Sequence, residues 1–194
     1  DIERYNNQMK ATVSLNLNYD ITKNIYIGTT LGGDFRETNN VTYLKPNTFT
    51  TSTAGFPTNF NQSGSYTENF GRNFQGNTRG FIGFRKDFHE IHNVDVTFFT
   101  EYFFNRSKDL GITAYNLNTK LFNTPAAIPL GQPAQIELYN RVNGGRSERA
   151  TVSYLGTLKY SFADKYFLDF TARRDGTSIL PEVNRYQNFF AAGL

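Results

Sequence analysis

Apolar residues in this chain recur at every second position, in runs of about ten, and nowhere at the three-to-four spacing of a helix. From Lys10 to Tyr19 one face carries Ala11, Val13, Leu15, Leu17 and Tyr19, and the other carries Thr12, Ser14, Asn16 and Asn18. A tilted strand of that length covers the apolar band of a bilayer. The alternation returns over Ile25–Glu37, where Ile25, Ile27, Leu31 and Phe35 oppose Tyr26, Gly28, Thr30, Gly32, Asp34 and Arg36. It returns again over Thr78–Phe88, Val94–Phe104, Thr151–Phe162 and Tyr166–Arg174, and a last run starts near Tyr186 and continues to Leu194. About seven strands and no helical stripe make the chain all-β.

The connections between these runs are short (20–24), long (38–77), short (87–93), long (105–149), short (163–165) and intermediate (175–185). Tight turns therefore gather at one end of the sheet and large excursions at the other, as in outer-membrane barrels with short periplasmic turns and long extracellular loops. Tyr and Phe cluster near strand ends (Tyr19, Tyr26, Phe35, Phe88, Tyr102, Phe104, Tyr160, Phe162, Tyr166), where an interfacial girdle sits. The mean hydropathy of −0.52 and the lack of an apolar run near 18 residues exclude a membrane-spanning helix. They do not exclude a barrel, whose strands are only half apolar.

An open sheet edge is not tolerated in hydrocarbon, and bacterial single-chain barrels have even strand counts from eight upward. Residues 1–194 are therefore expected to form one part of a single larger barrel domain: an antiparallel transmembrane β-barrel segment. Asp1–Tyr5 lacks the basic and apolar regions of a signal peptide. A second reading stays open, that of a soluble or surface-anchored β-sandwich binding carbohydrate, in which the apolar faces would form a core. A passive porin or autotransporter barrel shares the strand pattern.

Composition removes several classes of function. There is no Cys, which excludes a disulfide scaffold, a thiolate zinc site and a cysteine nucleophile. The net charge of +3, spread along the chain, is no nucleic-acid footprint. His89-Glu90-Ile91-His92 misses the H-E-x-x-H zinc motif by one residue, and no phosphate loop, dinucleotide fingerprint or nucleophile elbow occurs. Asp95, Glu101 and Asp169 fall on the faces assigned to a barrel lumen, where polar residues are ordinary. Gly80-x-x-Gly83 lies in a strand and suits a bend or a close approach of backbone. No catalytic residue, metal ligand or cofactor is expected.

The last quarter of the chain carries a more specific signal. Ser153–Arg185 reads SYLGTLKYSFADKYFLDFTARRDGTSILPEVNR. It resembles the SusC-like (RagA-like) TonB-dependent outer-membrane transporters of Bacteroidetes-type bacteria. The matching positions are Tyr154, Gly156, Tyr160, Phe162, Asp164, Lys165, Tyr166, Leu168, Arg173, Arg174, Asp175, Gly176, Thr177, Ser178, Pro181, Asn184 and Arg185, followed by Tyr186 and Phe189. Ile179-Leu180 departs from the family, which has an Arg and an aromatic there. The block reads as strand, tight turn and strand, with Asp175-Gly176 opening a further turn and Arg173, Arg174 and Asp175 forming a salt-bridged rim.

The resemblance implies a barrel of about 22 strands closed by an N-terminal plug. It implies import of oligosaccharides or peptides, energy from a TonB complex engaged through an N-terminal region outside this sequence, and a SusD-like surface lipoprotein as lid. For cargo contact the long connections are the candidates. Between Thr38 and Gly76 there are three charges but seven aromatics. Tyr66, Phe70 and Arg72 in this stretch, and Tyr139 and Arg141 in the second, are the expected ligand-binding residues. The competing role for such rings is packing of loop on loop.

Overall fold

The structure is a computed structural model that describes residues 1–46, 48–53, 64–89, 91–115 and 140–194. Seven strands build one sheet: β1 (Ile2–Asp20), β2 (Ile25–Leu44), β3 (Ser65–Phe88), β4 (His92–Tyr115), β5 (Arg141–Phe162), β6 (Tyr166–Thr177) and β7 (Tyr186–Gly193). Their order in the sheet is their order in the chain, so the topology is an all-β meander. The only other elements among the described residues are a five-residue helix, α1 (Phe49–Thr53), and a single 3-10 turn, Glu182–Asn184.

Side-chain chemistry makes the tight turns. Between β1 and β2 the Thr22 hydroxyl accepts from the backbone N–H groups of Asn24 and Ile25, which satisfies donors that the sheet cannot reach. Between β5 and β6 the Lys165 N–H donates to the Phe162 carbonyl at 3.0 Å, while Ala163 and Asp164 both adopt positive φ, 51° and 52°. Two consecutive positive φ values give the turn a twist that matches the flanking strands. The register then follows: Phe162 faces Tyr166, Tyr160 faces Leu168 and Leu158 faces Phe170.

Three expectations need correction. The excursions expected at 38–77 and 105–149 are cut back from both ends, because β2 runs on to Leu44, β3 starts at Ser65, β4 runs on to Tyr115 and β5 starts at Arg141. Hydrophobic alternation fades there because polar residues occupy both faces, yet the backbone ladder continues, with cross-strand pairs such as Asn39–Glu68, Thr67–Thr113 and Ser107–Ser147. Asp175-Gly176 opens no turn: both residues remain paired, with Ser153 and Val152 on one side and Gln187 and Tyr186 on the other. Arg174 leaves the expected ionic rim, because successive strand residues point to opposite faces; its guanidinium lies 4.7 Å from the Tyr186 ring centroid.

The sheet divides into two compact units. The first comprises residues 1–10, 35–73 and 107–147, and the second 11–34, 74–106 and 148–194. The first has a small buried cluster of Tyr43, Tyr66 and Ala114 with Val41 against it. In the second, large apolar side chains remain exposed along one face, among them Val13 (70%), Phe98 (61%) and Phe190 (73%).

Candidate functional site

Alternation gives the second unit two chemically different faces. One carries Leu15, Leu17, Ile27, Ile82, Phe84, Phe98, Tyr102, Tyr154 and Phe170, all exposed. The other carries a polar strip running across β2 to β6. The Tyr26 hydroxyl donates to Asp95 Oδ1 at 2.9 Å and lies 2.7 Å from Thr97 Oγ1. Arg79 Nε sits 3.2 Å from Glu101 Oε1 with its guanidinium 4.4 Å from the Phe99 centroid. Arg173 reaches the second Glu101 oxygen at 3.6 Å, donates from Nε to Asp175 Oδ1 at 2.7 Å, and donates from Nη2 to Ser153 Oγ at 3.3 Å.

The strip is thus a chain of alternating charges, Arg79–Glu101–Arg173–Asp175, closed by a serine. Each carboxylate in it has a cation or hydroxyl beside it, and Asp95 accepts from both Tyr26 and Thr97. Asp169 stands opposite Lys159. An arrangement of this kind provides a hydrophilic, charge-balanced wall. Solvent-exposed pairs of this type contribute about 0–1 kcal/mol each to stability.

Aromatic rings fit this face by covering glycines. A Cβ on Gly28 would come within 2.4 Å of Phe81 Cζ, and one on Gly83 within 2.0 Å of Tyr26 Cζ. At Gly83 the close approach is that of the Tyr26 side chain, not of a neighbouring backbone. Gly80 has no such approach, since its Cβ would meet only Thr100 Cγ2 at 3.7 Å.

The expected ligand residues separate. In the first unit Tyr66 is 3% exposed and its hydroxyl donates to Glu68 Oε2 at 2.8 Å. Burial first, and the Glu68 carboxylate second, push its phenol up to about 12. The Arg72 guanidinium donates to Glu37 from Nε and Nη2 and lies over the rings of Phe35 and Phe70, at 5.9 and 5.5 Å. Tyr66, Phe70 and Arg72 are therefore brought onto one face with Tyr43 and Glu37, as packing and charge partners of one another. Arg141 is exposed at the start of β5. Tyr139 lies outside the described residues, as does Glu90 of the His89–His92 segment. His92 Nδ1 is 2.7 Å from the Tyr160 hydroxyl, and among the described residues no three His, Cys, Asp or Glu side chains form a group able to hold a metal.

The motif residues take structural positions. Tyr154 is exposed on the apolar face, Gly156 would bring a Cβ to 3.8 Å from Phe98, and Asp164 and Lys165 form the turn before Tyr166. Gly176 lies under the Tyr186 ring, whose Cε1 would be 2.4 Å from a Cβ there. Sequence reasoning missed Tyr26, Arg79 and Ser153 as members of the polar strip. Each has the right parity within its own strand, but only the register across strands shows which charges meet.

No protein-family profile matches the sequence, and no curated protein does. Solved structures do. A chain of the RagAB peptide transporter superposes with a TM-score of 0.80 at 17% identity, covering 98% of this chain and 20% of that chain. Chains of the RagAB peptide importer in its open-open and closed-closed states give 0.78 at 18% and 0.80 at 17%, with the same coverage. This chain spans about a fifth of their length. Its seven-stranded antiparallel sheet has the fold of a segment of a β-barrel transporter chain.

Proposed function

We propose that this chain is a wall segment of a SusC-like, RagA-like importer in the bacterial outer membrane. The observation that carries the reading is the two-faced sheet of the second unit: an apolar face exposed along its strands, backed by a charge-balanced polar strip. In water an apolar face of that extent would drive aggregation; against lipid it is the expected outer surface of a barrel, with the polar strip lining the lumen. In this reading the strands of the second unit cross the bilayer. The tight turns face the periplasm and the long connections face the exterior.

The structural neighbours are peptide importers, which supports peptides over oligosaccharides as the cargo class. By the resemblance that Ser153–Arg185 carries, the complete protein takes energy from a TonB complex and is capped by a SusD-like surface lipoprotein. Tyr66 and Arg72 already have their partners, so cargo contact falls to Arg141, Tyr139 and the polar face of the first unit. There Asn69 and Asn143 bring their side-chain amides over Gly111. The β-sandwich alternative needs a second sheet over the apolar face, whereas the seven described strands make a single sheet.

The test is electrophoresis of detergent-solubilised membranes holding the native polypeptide, heated and unheated. A band far heavier than 194 residues that shifts on heating supports the barrel. A soluble species of the mass of this chain, with no heat shift, overturns it.

A further inference from the structure

The apolar face of the second unit is not uniformly filled. A hollow of about 780 Å³ opens in it, roughly five times the ~150 Å³ cavity that takes a benzene molecule. Three small residues on neighbouring strands, Thr29, Gly80 and Thr100, line it together with Leu17, Ile82 and Phe98. A Cβ on Gly80 would make only an ordinary contact, with Thr100 Cγ2 at 3.7 Å.

Cations share the face. In β6 Arg174, opposite Tyr154, alternates onto it and lies over the Tyr186 ring. In β3 the cation is Lys86. Its ammonium lies 4.9 Å from the Phe88 ring centroid, at the tight-turn end of β3. Its neighbour Arg85 is committed elsewhere, to Asp20 at 3.2 Å and to the Tyr26 ring. Lys86 stands four residues from Ile82 on the same face, about 13 Å along the strand. A lipid acyl chain is longer than that.

We propose that the hollow is a phospholipid site: one acyl chain lies over Gly80 between Leu17, Ile82 and Phe98, and Lys86 holds the phosphate. Charge complementarity names the occupant. A second copy of the chain would bring another copy of Lys86 to the same face, whereas a phosphate neutralises it, and a long lysine at a strand end carries its charge to the headgroup level. The proposal rests on the membrane reading above, and its test separates the two.

The full-length protein is reconstituted in phosphatidylethanolamine vesicles containing a phosphatidylglycerol with a photoreactive group near the middle of its acyl chain. Cross-linked peptides are then mapped. Peptides covering 27–29, 80–82 and 98–100 should carry about tenfold more label than the band peptides 166–172 and 189–192, the excess that a 1.4 kcal/mol preference gives. Gly80→Leu should reduce that excess to the band average while the heat shift on gels is kept. Lys86→Ala should reduce it for phosphatidylglycerol but not for an uncharged diacylglycerol carrying the same group. Even labelling of the band, label that survives Gly80→Leu, or protein–protein cross-links at the hollow overturn the site and leave the barrel standing. No lipid label on any band peptide overturns the membrane reading, and the site with it.

Discussion

Gly176 and Gly33 differ in a way that a sequence does not reveal. Both are strand glycines, but a Cβ on Gly176 would meet the Tyr186 ring at 2.4 Å, whereas one on Gly33 meets nothing within 4 Å. Gly176→Ala must push the ring aside and disturb its contact with Arg174. The cost expected for such overpacking is about 1–3 kcal/mol, while Gly33→Ala should be neutral or stabilising. Urea midpoints of the two variants, refolded in vesicles as the full-length protein, check this; equal midpoints would refute the steric account. A second residue-scale outcome concerns Tyr66. Its phenol is raised from 10 to about 12, so the folded chain holds that proton more tightly than the unfolded one. The stabilisation is complete below pH 10 and is lost as pH rises through about 12. In tyrosinate absorbance, wild type minus Tyr66→Phe should leave a transition near 12, and a difference centred at 10 would contradict the burial.

At the scale of elements, the alternation located every strand of the second unit because there one face is apolar and the other polar. Lys10–Tyr19 and Tyr166–Arg174 were legible for that reason. The alternation stops short at Glu37 and resumes late at Thr78, because Asn39, Glu68 and Arg72 interrupt the aromatic face over 38–44 and 65–77 while Thr and Asn fill the other. What holds those ends in strand is the ladder and cross-strand pairing, which leave no hydrophobic period in a sequence. Asp175-Gly176 misled in the opposite direction: a dipeptide common in turns is here a strand glycine kept small by Tyr186. The β5–β6 turn was legible as a turn, but its strain was not. Ala163 holds φ at 51°, a conformation costing a non-glycine residue about 1–2 kcal/mol. Ala163→Gly should therefore stabilise by about 1 kcal/mol after the greater freedom of glycine in the unfolded chain is offset. Asp164→Gly should gain less, since Asp tolerates this region. The Ala163 N–H also donates to the Ile91 carbonyl at 2.7 Å, so Ala163→Pro should destabilise. Urea midpoints again provide the reading, and a loss of stability with Ala163→Gly would show that the turn is not strained.

For the whole molecule the decisive groups are those on the outer edges of β1 and β7. Among the described residues each of these strands pairs on one side only. An antiparallel strand directs about half of its backbone groups to each side, so the eight residues of β7 alone leave about four N–H and four C=O groups without a partner. At ~2–7 kcal/mol for each polar group taken into hydrocarbon unsatisfied, that one edge outweighs the 5–15 kcal/mol by which folded domains are ordinarily stable. Detergent or lipid can therefore cover the apolar face of this piece but cannot rescue its edges; only further strands can. The 194 residues expressed alone should consequently fail to give a monodisperse, trypsin-resistant species in detergent, although the same residues within the full-length protein resist trypsin at their tight turns. Limited proteolysis with mass mapping of both preparations distinguishes the cases. A monomeric, trypsin-resistant β-fold from the 194 residues alone would mean that both edges are satisfied within the piece, and the open-edged barrel segment would have to be abandoned.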